Sequence, residues 1–225
     1  LQGHHRRPLR GLNRRPRGSR RFTMFIELVD SLRCLTPHEE TWLVAALNAV
    51  QDRYVIKAKL GCPVCGATYF IRNGIADLRQ EESVTSGDES ISSGTDAAMR
   101  IAAFLNLTRP GSLVALEGRY ANLARAISEM TECRVIALNP SNPLDDSEQA
   151  ASVLCDSRFP LATASLDGIA LSQDKLIADV ARVLKSSGRV VVGAAANLPA
   201  GLMEIARDEN AIIAESIGTI VPLRR

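Results

Sequence analysis

The sequence lacks any long apolar run, and after residue 38 it lacks histidine. No stretch of about 18 uncharged apolar residues occurs, so a transmembrane helix is not expected. The histidines are His4, His5 and His38, so the rest of the chain has no imidazole for acid–base catalysis. Residues 1–23 have neither the apolar core nor the cleavage site of a secretory signal. We therefore expect a cytoplasmic protein that does not bind membranes.

The sequence does contain enough apolar residues for a folded core, and its charge is uneven. Hydrophobic residues make up 46% of the 225 positions, which argues against a disordered protein and allows one ordinary domain plus a small one. Residues 1–23 hold eight arginines and no acid, so a net charge of +2 for the chain leaves −6 for the remainder. This tail is either an arm that binds RNA through its arginines or, the interpretation we favour, upstream sequence included by gene calling or a disordered extension.

A cysteine motif, Cys62-Pro63-Val64-Cys65-Gly66, points to a metal site. Such a turn places two thiolates on one tight knuckle, which is half of a tetrahedral zinc site. Cys34 is the obvious third ligand, because the apolar segment 25–33 leads it toward the knuckle. His38 is the best available fourth. The sequence thus predicts zinc bound by Cys34, His38, Cys62 and Cys65.

Other interpretations of these residues stay open. Thr36-Pro37-His38-Glu39 also fits a helix start, with Thr36 as the N-cap and Glu39 completing a capping box. The site could have lost its metal and be held by packing alone. A disulfide between Cys62 and Cys65 is disfavoured, because nothing marks the chain as secreted.

Residues 24–79 resemble the small zinc-binding activator subunits of tRNA, rRNA and release-factor methyltransferases, including short bacterial relatives. The resemblance rests on Cys34, the cysteine knuckle and the segment Tyr69-Phe70-Ile71-Arg72-Asn73-Gly74-Ile75, where Phe70 replaces the usual proline. It implies a zinc-ribbon module with a methyltransferase or other protein as partner. The first half of the site departs from those relatives, since it offers Cys34 with His38 rather than a second cysteine pair.

A helical insertion between the two halves of the site is also familiar in that family. Residues 39–54 are predicted to form it, with apolar residues at helical spacing. These are Trp42, Leu43, Ala46, Leu47 and Val50. Residues 80–95 are rich in Ser, Gly, Glu and Asp and are predicted to be a linker. The expected organisation is therefore a tail (1–23), a zinc module (24–79), a linker (80–95) and a second domain (96–225).

Helices and strands alternate in residues 96–225. Helices are predicted at 97–107, 122–130, 174–184 and 202–208, and strands at 113–116, 134–138, 152–155, 168–171, 189–192, 211–215 and 219–223. Strands separated by helices indicate a mostly parallel sheet covered on both faces, and the last two strands suggest an antiparallel edge pair. The predicted fold class is α/β, a small zinc-ribbon-like module followed by a Rossmann-like domain.

The second domain resembles class I S-adenosylmethionine-dependent methyltransferases. The resemblance rests on the order of elements, on segments 152–160 and 165–169, and on Val180-Ala181-Arg182-Val183-Leu184-Lys185-Ser186-Ser187-Gly188-Arg189. It implies cofactor contacts at the strand ends. The candidate residues are Glu117, Gly118, Asn139 and Asp156.

The predicted cofactor loop departs from that family. Aligning strand ends places Glu117, Arg119 and Ala121 on its three glycine positions, and an alternative register keeps Glu117 as the acid with Gly118 as one glycine. Neither register restores the motif, whose glycines let the backbone approach the ligand. Asn139 replaces the carboxylate that the family uses for ribose. Asp156 is retained, although it and Asp167 could equally cap turns.

No catalytic set of residues is evident, and Cys133 and Cys155 fit buried small apolar residues better than nucleophiles. Two functions follow. The favoured one is a non-catalytic scaffold or regulatory protein with a zinc-binding, activator-like module. The other is a divergent methyltransferase that binds S-adenosylmethionine and carries its activator in cis. Arg119 and Tyr120 discriminate between them, since a fold that turns them into the pocket argues against catalysis.

Overall fold

The structure is a computed structural model that describes residues 24–80, 94–140 and 150–218. Three sequence-based expectations lie outside these residues: the basic tail 1–23, the body of the linker 80–95 and the predicted strand 219–223.

The described residues contain twelve strands. They are β1 (Met24–Phe25), β2 (Val44–Gln51), β3 (Tyr54–Gly61), β4 (Thr68–Arg72), β5 (Ile75–Asp77), β6 (Leu113–Glu117), β7 (Arg134–Leu138), β8 (Ala150–Leu154), β9 (Leu166–Ala170), β10 (Leu184–Gly193), β11 (Leu202–Arg207) and β12 (Ala211–Ser216). The α-helices are α1 (Ile26–Val29), α2 (Thr95–Phe104), α3 (Ala124–Thr131) and α4 (Val180–Val183), with 3-10 helices at Gly118–Leu123 and Asp174–Asp179. Among the described residues, no helix combines the length and the apolar character that crossing a bilayer requires.

These strands form one continuous sheet in the order β1-β3-β4-β5-β8-β7-β6-β9-β10-β12-β11, with β2 pairing to β3. The block from β5 to β10 is parallel throughout. Counted from β6, its last five strands stand in the order 3-2-1-4-5, as in doubly wound nucleotide-binding folds. The predicted α/β class with a Rossmann-like parallel sheet is confirmed.

Alternate side chains of the central strand β6 pack into two cores on opposite faces of the sheet. Leu113 and Ala115 belong to a core that includes residues of α1 and α4. Val114 and Leu116 belong to a second core beneath α2 and α3. Because β6 is covered on both faces, residues 113–116 are continuously apolar rather than alternating. Each fully buried aliphatic side chain contributes about 1.5–3 kcal/mol to stability.

The N-terminal module joins this sheet through β5. Ile75 pairs in register with Ser152 of β8, and the amide of Leu78 donates to the carbonyl of Leu154 at 2.9 Å. One core cluster contains buried residues from both sides of this junction, among them Leu60 and Ile136. The boundary at 80–95 between two domains stays a prediction, but the sheet itself runs across it.

The helix predicted at 39–54 is wrong, because residues 44–51 form strand β2. Periodicity in so short an apolar run does not separate a helix from a strand. The decisive feature is the two-residue turn at Asp52-Arg53, where Asp52 has a φ of +54°. Asp tolerates this left-handed conformation, so the chain reverses and β3 pairs along the length of β2.

The helix predicted at 202–208 is also wrong, because residues 202–207 form β11 antiparallel to β12. The carboxylate of Asp208 accepts hydrogen bonds from the amides of Asn210 and Ala211, both at 2.8 Å, and so stabilises the turn between the two strands. β11 and β12 thus form an antiparallel pair at this end of the sheet, whereas the predicted pairing of 211–215 with 219–223 involves residues outside the described part of the chain. The helix predicted at 174–184 is divided into a 3-10 helix and α4, and β10 begins at Leu184.

Candidate functional site

The cysteine knuckle folds as a tight turn between β3 and β4. The amide of Cys62 donates to the carbonyl of Ala67 at 2.9 Å, and the amide of Gly66 donates back to the carbonyl of Cys62 at 3.0 Å. Gly66 has a φ of +71°, a conformation that glycine adopts without steric cost. The turn places the thiols of Cys62 and Cys65 on the same side, facing residues 34–41.

Residues 34–41, which we call the ligand loop, carry the other two candidate ligands. The amide of Cys34 donates to the carbonyl of Thr41 at 3.1 Å, which closes the loop. No helix begins at Thr36, so the alternative interpretation of residues 36–39 as a helix start is not supported. His38 instead turns its ring toward the knuckle.

The imidazole of His38 is oriented by a backbone contact. Its Nδ1 lies 2.6 Å from the carbonyl oxygen of Glu39, and its Nε2 lies 3.4 Å from Sγ of Cys62. An Nδ1–H that donates to this carbonyl leaves Nε2 with a lone pair. That is the usual arrangement for a metal-ligating histidine.

The separations between the four ligand atoms fit a tetrahedral zinc ion. All four atoms lie within 4.8 Å of one another. Tetrahedral zinc with ordinary bond lengths requires about 3.8 Å between two sulfurs and about 3.6 Å between sulfur and nitrogen. The observed distances are 3.7 Å between Cys34 and Cys65, and 3.4 Å between Cys62 and His38. The type and number of these ligands and the two shortest separations fit zinc, and the thiols are free rather than joined in a disulfide.

The surroundings of the thiols differ. Burial raises the pKa of Cys34, but hydrogen bonds with Thr36, Tyr69 and His38 outweigh it and lower that pKa to about 6. The amide of Ala67 lowers the pKa of Cys65, whereas burial raises the pKa of Cys62. Cys34 is thus the thiol most readily present as a thiolate, the form that binds metals. Tyr69 assists by placing its hydroxyl 3.6 Å from Sγ of Cys34.

Polar side chains anchor the ligand loop to the C-terminal part of the chain. Glu40 accepts a hydrogen bond from the hydroxyl of Thr163 at 2.7 Å and forms an ion pair with Arg182 at 3.1 Å. Arg182 also donates to both carboxylate oxygens of Asp179 at 2.7 Å. The guanidinium of Arg33, beside the loop, lies 3.6 Å from the Glu40 carboxylate. No local sequence pattern indicates this network, because its members are far apart along the chain.

The carboxyl ends of the parallel strands bring the predicted cofactor residues to one edge of the sheet. Glu117 is 4% exposed, and its carboxylate accepts hydrogen bonds from the amides of Ser172 and Gln173 at 2.9 and 3.2 Å. It therefore links the end of β6 to the segment that follows β9. Gly118 comes next, with a φ of +58°, and begins a 3-10 helix.

Asn139 and Asp156 are engaged in a similar way. Asn139 has a φ of +47°, and its Oδ1 accepts a hydrogen bond from the amide of Cys155 at 3.0 Å, which ties the end of β7 to the end of β8. The carboxylate of Asp156 accepts a hydrogen bond from the amide of Gln80 at 2.9 Å. Burial raises the pKa of Cys155 to about 12, so this thiol is unsuited to nucleophilic attack at neutral pH.

Tyr120 turns into the protein, and Arg119 lies half-buried beside it. Tyr120 is 5% exposed and packs in the core beneath α2 and α3. The guanidinium of Arg119 lies over the Tyr120 ring at 5.3 Å, and its Nε is buried without a hydrogen-bond partner among the described residues. Cofactor binding by Glu117, Gly118, Asn139 and Asp156 stays a prediction, as does metal binding by the four ligands.

Comparisons with known proteins find solved structures that resemble part of this fold. No protein-family model matches the sequence, and no curated protein matches it. Phosphoethanolamine N-methyltransferase 2 from Haemonchus contortus matches with 17% identity and a TM-score of 0.39, over 48% of this chain and 29% of that one. The antibiotic-resistance methyltransferase Kmr matches with 10% identity and a TM-score of 0.40, over 59% of this chain and 97% of that one. Geranyl diphosphate methyltransferase matches with 15% identity and a TM-score of 0.33, over 44% of this chain and 48% of that one. This chain thus spans less than a third of the length of the Haemonchus enzyme.

Proposed function

We propose that this chain is a zinc-binding protein with a methyltransferase-like domain that acts without catalysis, as a scaffold or regulatory protein. The observation that carries the proposal is the use of polar side chains at the carboxyl edge of the sheet. Glu117, Asn139 and Asp156 each accept a hydrogen bond from the backbone of a neighbouring segment. A cofactor would have to compete with these bonds, which already connect strand ends.

The zinc part of the proposal is supported by the closed geometry of the Cys/His cluster. Cys34, His38, Cys62 and Cys65 would supply four ligands and leave no position for water or substrate. Zinc with four protein ligands is structural, whereas catalytic zinc keeps one position open. Here a bound metal would fix the ligand loop against the knuckle and would not take part in a reaction.

The activator-like part is supported by the contact between the two halves of the chain. Strand β5 of the N-terminal module extends the parallel sheet by pairing with β8, and Glu40 reaches Arg182 of α4. We infer that the module acts first on its own chain, in cis, by completing one edge of the sheet. A further methyltransferase or other protein partner, and RNA bound through the tail 1–23, are predictions that follow from sequence alone.

A divergent S-adenosylmethionine-dependent methyltransferase is the second candidate. The observation in its favour is the 3-2-1-4-5 strand order, which places Gly118, at a positive φ, immediately after the central strand. In folds with this order, ligands bind outside the carboxyl ends of the strands. Under this alternative, Asn139 and Asp156 would exchange their present hydrogen bonds for contacts with the cofactor.

Calorimetric titration of the full chain with S-adenosylmethionine separates the two candidates. Our proposal predicts no binding heat at millimolar ligand, for the wild type and equally for Asn139→Asp, which restores a carboxylate at the ribose position. Saturable binding in the micromolar range by the wild type would overturn the proposal in favour of the methyltransferase. Metal analysis of the same sample shows whether the zinc site is filled, so the two parts of the proposal are tested separately.

A further inference from the structure

A cavity of about 480 Å³ opens at the amino ends of the central strands, on the edge opposite the predicted cofactor residues. Its walls come from the segment after α2 and from the starts of β6, β9 and β10. The polar side chains lining it include Asn106, Thr108, Arg109, Asp167, Lys185 and Ser187. This volume lies within the usual range of small-molecule sites, about 300–1,000 Å³.

Asp167 holds two cations at the cavity. Its Oδ2 lies 2.8 Å from the ammonium of Lys185, and its Oδ1 lies 3.9 Å from the guanidinium of Arg109. The amide of Leu113 also donates to this carboxylate at 2.9 Å. The Asp167 side chain is only 13% exposed, so its carboxylate holds both cations in fixed positions. Two cations around one carboxylate leave the cavity with a net positive charge.

A bulge in β10 forms one wall. Leu184 pairs with Leu166 and Arg189 with Gly168, so four residues of β10 stand opposite one residue of β9. Ser187 within this bulge has a φ of +61°.

Gly188 closes the bulge tightly. A Cβ at this position would lie 2.9 Å from the carbonyl oxygen of Lys185 and 3.2 Å from that of Asp167, closer than side-chain carbons normally approach backbone oxygens. Residue 188 is therefore restricted to glycine by packing. The shape of this wall is a defined feature rather than a loose turn.

Several exposed side chains that line the cavity can form hydrogen bonds with a ligand. Within the described residues, the side chains of Asn106, Thr108 and Ser187 have no hydrogen-bond partner. Together with the two cations they provide donors from several directions around one space, which suits a group with several acceptor oxygens. Leu105 and Leu107 add an apolar part to the lining.

We propose that this cavity binds a small molecule carrying a phosphate monoester. The phosphate would lie between Lys185, Arg109 and the hydroxyl of Ser187, and the organic part would face the leucines. An extended nucleic acid fits less well, because residues 24–225 carry a net charge of −6 and would repel a polyanion. The inference is independent of the zinc and cofactor proposals, since it uses none of their residues.

Amide NMR of the full chain, titrated with ribose 5-phosphate, tests this site. We expect saturable shifts of the amides of Ser186, Ser187 and Gly188, and no such shifts with ribose. Lys185→Gln should weaken binding about tenfold or more, because it removes a charge-assisted hydrogen bond. Arg109→Gln should weaken it too, and its 83% exposed side chain can be replaced without disturbing the core. Lys175→Gln, at an exposed lysine outside the cavity, is the matched control and should bind as the wild type does.

Three results would overturn the proposal. The first is equal affinity of the wild type and both cavity variants for ribose 5-phosphate. The second is an absence of saturable shifts at these three amides. The third is tighter binding of a single-stranded RNA oligonucleotide to the same amides, which would make the cavity part of a nucleic-acid surface.

Discussion

Glu40 and Arg182 form an ion pair, with 3.1 Å between Oε2 and a guanidinium nitrogen, although 142 residues separate them in the chain. Glu40 belongs to the ligand loop, which also carries Cys34 and His38, and Arg182 belongs to α4. The same carboxylate accepts hydrogen bonds from the amide and hydroxyl of Thr163. The loop that would hold half of a metal site is therefore anchored to the C-terminal part of the chain by side chains as well as by the shared sheet.

Replacing Glu40 should weaken this anchor. Glu40→Gln keeps an oxygen that can accept from Thr163 but removes the charge that faces Arg182. Because the Glu40 side chain is 38% exposed, water screens part of the interaction, and we expect a loss of about 1 kcal/mol in the free energy of unfolding. Urea denaturation of the wild type and the variant measures this loss of stability. Glu39→Gln, at the exposed neighbouring position, should change stability little, and equal losses for the two variants would contradict the anchoring role.

The same carboxylate should make stability depend on acid pH. Burial raises the pKa of Glu40, but hydrogen bonds with Thr163 and the charges of Arg182 and Arg33 outweigh it and hold the pKa below its ordinary value of 4.5. A pKa lowered by folding means that the stabilisation is present above the ordinary pKa and is lost as pH falls through the lowered one. The stability difference between wild type and Glu40→Gln should therefore shrink between about pH 6 and about pH 3. A difference that stays constant over this range would show that the charge of Glu40 is not responsible.

Local sequence patterns predicted the parts of the molecule that depend on neighbouring residues. The cysteine spacing indicated the Cys/His cluster, because a knuckle is formed by consecutive residues. Apolar runs bounded by turn residues indicated the strands of the parallel block. Because the carboxyl ends of parallel strands lie at one edge of the sheet, Glu117, Asn139 and Asp156 were expected there.

The failures concern partners that are distant in sequence. Strands β2 and β11 were predicted as helices because their short apolar patterns fit both periods, and the pairing strand decided between them. The ion pair of Glu40 with Arg182 and the cavity beside Asp167 arise only when separate elements meet. Chain order alone does not reveal which backbone amide a strand-end carboxylate will bind.

Removing a ligand should abolish zinc binding and its contribution to stability. For Cys65→Ser we expect zinc content to fall from about one ion per chain to near zero, because structural sites need all four ligands. Chelation should lower the melting temperature of the wild type, since metal binding is coupled to folding, and should leave that of the variant unchanged. Cys133→Ser is the matched control, as Cys133 is buried under α2 and α3 and far from the knuckle in sequence. Unchanged zinc in Cys65→Ser would refute the site.

Substitutions at Asn139 test whether its side chain stabilises the fold or is available to bind a cofactor. Asn139→Ala removes the acceptor for the amide of Cys155 and places alanine at a φ of +47°, so we expect a loss of about 2–3 kcal/mol. Asn139→Gly loses the hydrogen bond without the steric cost, about 1 kcal/mol. Asn139→Asp keeps an acceptor and should be the mildest of the three. Urea denaturation that fails to rank the variants in this order would argue that the side chain is not holding β7 to β8.

The continuous sheet predicts that the N-terminal module (24–79) and the C-terminal part of the chain unfold together. Trp42, the one tryptophan in the chain, lies in the N-terminal module under the guanidinium of Arg33 at 4.6 Å, so its fluorescence reports on that module. Far-ultraviolet circular dichroism reports on the whole sheet. The two signals should give the same midpoint in urea.

A substitution at the junction tests why the midpoints should coincide. Ala76 lies on β5, fully buried opposite Val153 of β8. Ala76→Asp buries a carboxylate without a pairing partner between β5 and β8. It should lower the free energy of unfolding by about 3 kcal/mol or more and shift both signals together. Ala46→Asp, on the exposed strand β2, should shift neither. If Ala76→Asp shifted the fluorescence transition and left the circular dichroism of the remaining sheet in place, the module would be a separate domain docked on the sheet, and its proposed role in completing the fold would be lost.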